Sequence, residues 1–159
     1  MSILSFLGFG KGKIEIQIDK YNFSPGNVLN GKVLLKLKKP IKAKSLKIAL
    51  KGEKTTYETE YRDNRPTTSK NITSIFDFTQ PLDTEKEYPT TETDYNFKIK
   101  IPKNILSQST LPENPIANTI AKSLQILSNQ DTKIGWYLIA FLEIPWGIDV
   151  SKKVQINIV

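Results

Sequence analysis

Apolar and polar residues alternate with a period of two along most of this chain, the mark of strands with one buried face. Ile14, Ile16 and Ile18 alternate with polar neighbours over 13–19. Ser24-Pro25-Gly26-Asn27 suits a turn, with Pro and Gly at its central positions. Residues 28–38 then predict a strand that points Val33, Leu35 and Leu37 inward and Lys32, Lys36 and Lys38 outward, and Pro40 ends it. Residues 45–51 repeat the pattern, with Leu46, Ile48 and Leu50 inward and Lys47 and Lys51 outward. If these two strands pair, at least five lysines share one sheet face, where like charges opposite one another cost stability unless solvent or an anion screens them.

Residues 53–62 are rich in Thr and Tyr and predict an exposed strand, 63–69 a loop, and 72–78 a strand with Ile72, Phe76 and Phe78 on one face. Pro81 and Pro89 mark 79–93 as a long connection, and Tyr95, Phe97, Ile99 and Ile101 form a strand that Pro102 ends. The period changes after Leu111. Asn114 is a good N-cap, Pro115 fits the first helical position, and Ile116, Ile120, Leu124 and Leu127 share a stripe, so 114–128 predicts a helix. Residues 135–144 are apolar on both faces, as in a strand covered on both sides, and the helix is a candidate for the second cover. Pro145-Trp146-Gly147 turns the chain into a last strand carrying Val154, Ile156 and Ile158. Seven to nine short strands and one helix predict a mainly β, immunoglobulin-like antiparallel sandwich. At 159 residues, a single domain spanning 1–159 is the expectation, with 1–10 as an apolar N-terminal arm.

Composition narrows the chemistry. There is no cysteine and no histidine, which excludes disulfides, Cys- or His-based zinc sites, cysteine nucleophiles and histidine acid–base chemistry. The carboxylate pairs Glu58/Glu60, Glu85/Glu87 and Glu92/Asp94, together with Asp149, fall in wet, Thr-rich or loop-like segments, where surface charge is the simpler reading. No segment has the spacing of a calcium loop, and the glycines at 8, 10 and 12 precede a strand rather than a helix, so they form no phosphate cradle. No catalysis and no cofactor are expected, and a carboxylate-based hydrolase ranks behind the binding readings as the less favoured alternative.

The net charge of +7 is uneven: residues 1–54 hold 12 lysines against three acids. The surplus is lysine, and Arg62 and Arg65 are the only arginines. Lysine is a point charge suited to long-range attraction, not to base reading. The lysine-rich segment 32–51 also lacks an aromatic residue, which argues against nucleic acid. The alternatives left are a solvated face that aids solubility and an anionic partner. Trp146, at its turn, is a candidate exposed anchor. The apolar start lacks the preceding positive charge of a secretory signal, and no stretch is long enough for a membrane helix, so a cytoplasmic location is expected, with peripheral membrane contact open.

Several stretches resemble the arrestin N-terminal lobe: Tyr21 with Pro25-Gly26-Asn27-Val28 and Gly31-Lys32-Val33, then Leu46-x-Ile48-x-Leu50-x-Gly52, Tyr95-x-Phe97-x-Ile99-x-Ile101-Pro102, residues 135–140, and Asp149-Val150 leading into the last strand. The glycine-rich start and Lys13-Ile14 are similar to the prokaryotic sporulation-control branch of that fold. The resemblance spans about residues 10–159 and implies an arrestin-like β-sandwich acting as a non-catalytic adaptor for proteins. Lys11 and Lys13 lie near the family's phosphate-sensing lysine pair but are not adjacent, Asn27 replaces the usual Glu, and the Asp/Arg polar core has no match, so phosphate-triggered activation is not implied. The residues expected to bind a partner are Lys11, Lys13, Lys32, Lys36, Lys38, Lys47, Lys51 and Trp146. The expected partner is an anionic or phosphorylated protein. An anionic membrane surface and self-association through exposed strand edges are the other possibilities.

Overall fold

The computed structural model describes residues 10–108 and 131–159. Most of the expected N-terminal arm and the predicted helix over 114–128 lie outside the described residues.

Among the described residues, ten strands and one short helix follow in order: β1 (Gly12–Ile18), β2 (Asn22–Phe23), β3 (Val28–Leu37), β4 (Ile41–Ala43), β5 (Ser45–Arg62), β6 (Arg65–Asp83), β7 (Lys86–Tyr88), β8 (Thr93–Lys100), α1 (Ile105–Gln108), β9 (Asp131–Glu143) and β10 (Val150–Ile158). They form a three-stranded sheet β1-β3-β8, a five-stranded sheet β2-β10-β9-β5-β6, and a two-stranded β4-β7 ribbon. All pairings are antiparallel except β2 with β10.

The alternation read in the sequence builds the core. Ile14, Ile16, Val33, Leu35, Leu37, Phe97 and Ile99 from the smaller sheet join Leu46, Ile48, Leu50, Leu138, Leu142 and Ile156 from the larger in one buried cluster. Burying a side chain of this size stabilises by roughly 1.5–3 kcal/mol, so the inner faces dominate the stability. On β9, Trp136, Leu138, Ala140 and Leu142 are buried, while the outward Tyr137, Ile139 and Phe141 are half-buried. Gly52 lies opposite Trp136 in the β5–β9 ladder, and a Cβ on Gly52 would come within 2.5 Å of the indole. The missing side chain lets the ring lie across the strand, where Phe76 meets it edge-on at 6.2 Å.

Four expectations change. Residues 45–51 and 53–62 are one continuous 18-residue strand, β5. Residues 63–69 are not a loop, because the chain reverses at Asp63 and Asn64 (φ 52° and 62°) and Arg65 already pairs with Arg62. Two successive left-handed residues make the tight hairpin turn that matches strand twist, and Asp and Asn tolerate that conformation. The expected connection over 79–93 contains the end of β6 and all of β7. Pro66 and Pro81 fit inside β6 because it is the sheet's edge, so one side needs no N–H. Finally, Ile72 does not share a face with Phe76 and Phe78. Between Gly52↔Phe76 and Glu53↔Ser74 the ladder slips by one residue, and this bulge turns Ile72 to the other face, 57% exposed.

Candidate interaction surface

β3 and β5 do not pair. β3 lies between β1 and β8, whereas β5 lies between β9 and β6 in the other sheet. The expected five-lysine face of Lys32, Lys36, Lys38, Lys47 and Lys51 is therefore not one surface. Lys32 and Lys36 of β3 and Lys47 and Lys51 of β5 alternate with buried residues and point outward, but the two sets cover opposite sides of the sandwich. Connection through β4 carries the chain from one layer to the other, and hydrophobic alternation carries no information about such a crossover.

Lys47 and Lys51 are neutralised where they stand. Lys47 Nζ is 3.3 Å from Glu143 Oε2, and Lys51 Nζ is 3.7 Å from Asp77 Oδ2. The Lys47 hydrogen bond and charge hold the Glu143 carboxyl below its ordinary range, helped by Ser45 Oγ at 3.2 Å.

The outer face of the three-stranded sheet carries a different set of five. Lys13 stands directly opposite Lys36, Lys32 opposite Asn96, Lys98 opposite Asn30, and Lys100 opposite Val28. All five point away from the core, since their strand neighbours Ile14, Val33, Leu35, Phe97 and Ile99 are buried. Lys32 is held by Asp94 at 3.1 Å, and Lys13 lies 4.0 Å from Glu15. Lys36, Lys98 and Lys100 are exposed and make no salt bridge among the described residues. The face thus has a paired centre and two cationic ends: Lys13 with Lys36, and Lys98 with Lys100. The lysine count over residues 1–54 does not reach Lys98 and Lys100. Their signal is the alternation of Tyr95, Phe97 and Ile99, which sends 98 and 100 outward.

Lys38 and Lys11 extend this surface around the end of β3, where the Lys38 N–H donates to the Lys11 carbonyl at 3.0 Å. Lys11 Nζ donates to the Ile148 carbonyl at 2.6 Å, which ties it to the β9–β10 turn. Trp146 sits on that turn with its side chain fully in solvent.

Several of the described carboxylates are engaged in structural contacts. Asp94 is spent on Lys32, and Asp149 Oδ1 accepts the Ile144 N–H at 2.9 Å. Asp83 is a partly enclosed carboxylate, its side chain 20% exposed. Burial pushes it up, but hydrogen bonds from Lys86, Tyr95 Oη and the Thr84 N–H outweigh burial and hold it below its ordinary range. Burial and the neighbouring Asp83 charge push the Tyr88 hydroxyl up to about 12 and raise that of Tyr95 as well. This cluster locks the β6–β7 connection onto β8. A cleft of about 440 Å³ beside α1 is lined by Leu106, Ile134, Trp136 and Ile156 with Asn22, Gln155 and Asn157, and among the described residues no acidic or basic side chain lines it. Among the described residues no cluster of three metal-ligating side chains occurs, and no helix is long and apolar enough to cross a membrane.

Comparison with known families now has a geometry to meet. The family described as arrestin (or S-antigen), N-terminal domain, matches residues 13–159. The chain belongs to this family. Among solved structures, the arrestin-like sandwich is similar to the sporulation control protein Spo0M from Bacillus subtilis, with a TM-score of 0.56 at 17% identity. The match covers 94% of this chain and 49% of that one, so the chain spans about half the length of Spo0M. At this identity the likeness is one of fold. No match was found among curated proteins.

Proposed function

We propose that this arrestin N-terminal domain is a non-catalytic adaptor that binds an anionic protein partner on the outer face of its three-stranded sheet. The observation that carries this reading is the direct opposition of Lys13 and Lys36 across β1 and β3, on the face that also bears Lys32, Lys98 and Lys100. Two like charges in register repel, and a folded protein keeps such a pair at a cost that an anionic partner would remove. Lysine-rich, flexible contacts favour electrostatic capture of an acidic or phosphorylated segment over shape-specific recognition. The lysines are spread over all three strands, which suits an extended segment crossing β1, β3 and β8. A cysteine-free chain with this surface fits a cytoplasmic setting.

The test is a crosslinked pull-down from native lysate with wild type, a Lys36→Glu/Lys98→Glu/Lys100→Glu variant, and a Lys47→Gln/Lys51→Gln variant. A partner retained by wild type and by the second variant, but lost by the first and by raised salt, supports the reading. Retention by all three sinks it.

A further inference from the structure

The β9–β10 turn carries a feature that the lysine face does not use. Residues 145–149 are exposed without interruption, with Trp146 at 105% and Ile148 at 70% of full exposure. Trp146 has φ +60°, a left-handed conformation that a bulky side chain adopts at a cost. The turn is nevertheless well held. Asp149 Oδ1 closes it on the Ile144 N–H at 2.9 Å, and Lys11 Nζ grips the Ile148 carbonyl at 2.6 Å. Gly147 makes room for that grip, since a Cβ there would lie 2.8 Å from Lys11 Nζ. A strained aromatic residue held out into water by two side-chain clamps is a costly arrangement, of the kind found where a residue must be presented.

The base of this turn is cationic. Lys11 is attached to it directly, Lys38 is bonded to Lys11 through the backbone, and the Lys44 N–H donates to the Glu143 carbonyl where β9 ends. The nearby acids are occupied: Glu143 by Lys47 and Ser45, Asp149 by the turn itself.

We infer that the Trp146–Ile148 tip is an interfacial anchor for an anionic lipid surface. Three considerations select lipid over a protein pocket. The tip is convex and presents two apolar side chains, far less than the roughly 800 Å² per partner that a stable protein interface needs. A fluid interface accepts a wedge without a complementary cavity. Indole prefers the headgroup level, where its ring is apolar-solvated and its N–H stays wet. With the tip inserted, the Lys11, Lys38 and Lys44 region comes to the height of anionic headgroups. One small wedge with a few cations gives weak, reversible and salt-sensitive binding. The anchor draws on Lys11, Lys38 and Lys44, and not on the Lys13, Lys32, Lys36, Lys98 and Lys100 that carry the proposed function.

The test uses the full chain with vesicles of phosphatidylcholine alone and of phosphatidylcholine with 30% phosphatidylserine, a fraction on the order of that in anionic leaflets. Trp136 is buried and Trp146 is exposed, so tryptophan emission reports the tip against a constant background. The expected result is a blue shift of emission and co-sedimentation with the anionic vesicles only. Trp146→Ala is expected to lower the bound fraction about tenfold at limiting lipid. Trp146→Phe is expected to keep partial binding while losing the shift, and its remaining Trp136 emission reports that the core is intact. A Lys36→Glu/Lys98→Glu variant is expected to keep the shift. Emission from Trp146 that stays water-like on anionic vesicles overturns the inference. So does sedimentation of Trp146→Ala equal to wild type, or a shift elicited only by a protein.

Discussion

Lys13 and Lys36 are direct cross-strand partners on β1 and β3, two like charges facing each other on the same side of one sheet. The pair predicts an unusual double effect. Lys36→Glu converts repulsion into attraction and is expected to raise stability by ~0.5 kcal/mol in urea denaturation at low salt. The same change is expected to weaken binding of the anionic partner. A variant that is more stable and binds less separates function from folding on this face, and an unchanged or lowered stability would show that solvent already screens the pair.

Asp83 predicts a loss of stability in acid. Its folded-state affinity for a proton is held below the ordinary carboxylate value by Lys86 at 2.7 Å and Tyr95 Oη at 2.8 Å. The unfolded chain therefore binds the proton more tightly, and stability falls as pH drops from about 4 through the lowered folded value. Asp83→Asn is expected to flatten that part of the pH–stability curve and to cost roughly 1–2 kcal/mol at neutral pH, measured by chemical denaturation.

Gly52 is a packing requirement. Its missing Cβ leaves the place occupied by the Trp136 ring, with the closest ring carbon at 2.5 Å. Gly52→Ala must move Trp136 and is expected to cost about 1–3 kcal/mol, with a change in the near-ultraviolet signal of Trp136. An Ala variant as stable as wild type would mean that the ring tilts freely.

The conformation of Trp146 predicts a trade between stability and binding. Trp146→Gly removes a side chain that touches no core and relieves a left-handed backbone at φ +60°. It is expected to raise stability by ~1 kcal/mol while abolishing vesicle binding. A destabilised glycine variant would point to an inward role for the indole.

The long edge strand β6 predicts association on heating. It is 19 residues long, has one side unpaired among the described residues, and exposes Ile72 and Phe78. Ile72→Lys is expected to reduce light scattering during a thermal ramp with little change in the unfolding midpoint. Equal scattering from wild type and variant would move the liability elsewhere.

What each residue does within its own strand was legible in the sequence. The period-two pattern turned Ile14, Val33, Leu35, Leu46, Ile48, Phe97 and Leu138 inward and the lysines outward, because a pleated strand has only two faces and water sorts them. The order of turn and strand motifs was enough to reach the arrestin-like fold. Bulges and edges were not legible. Ile72 changes face only because β6 slips against Gly52 and Glu53, and Pro66 and Pro81 join β6 because, among the described residues, it is the edge of its sheet. Nor could the sequence say which lysines would meet. Lys32 and Lys47 look alike as outward residues of successive strands, yet they face opposite sides of the sandwich, and Lys36 meets Lys13 instead. Alternation is a local property of one strand. The choice of partner strand depends on how all the inner faces close over one core, and only the tertiary structure decides it.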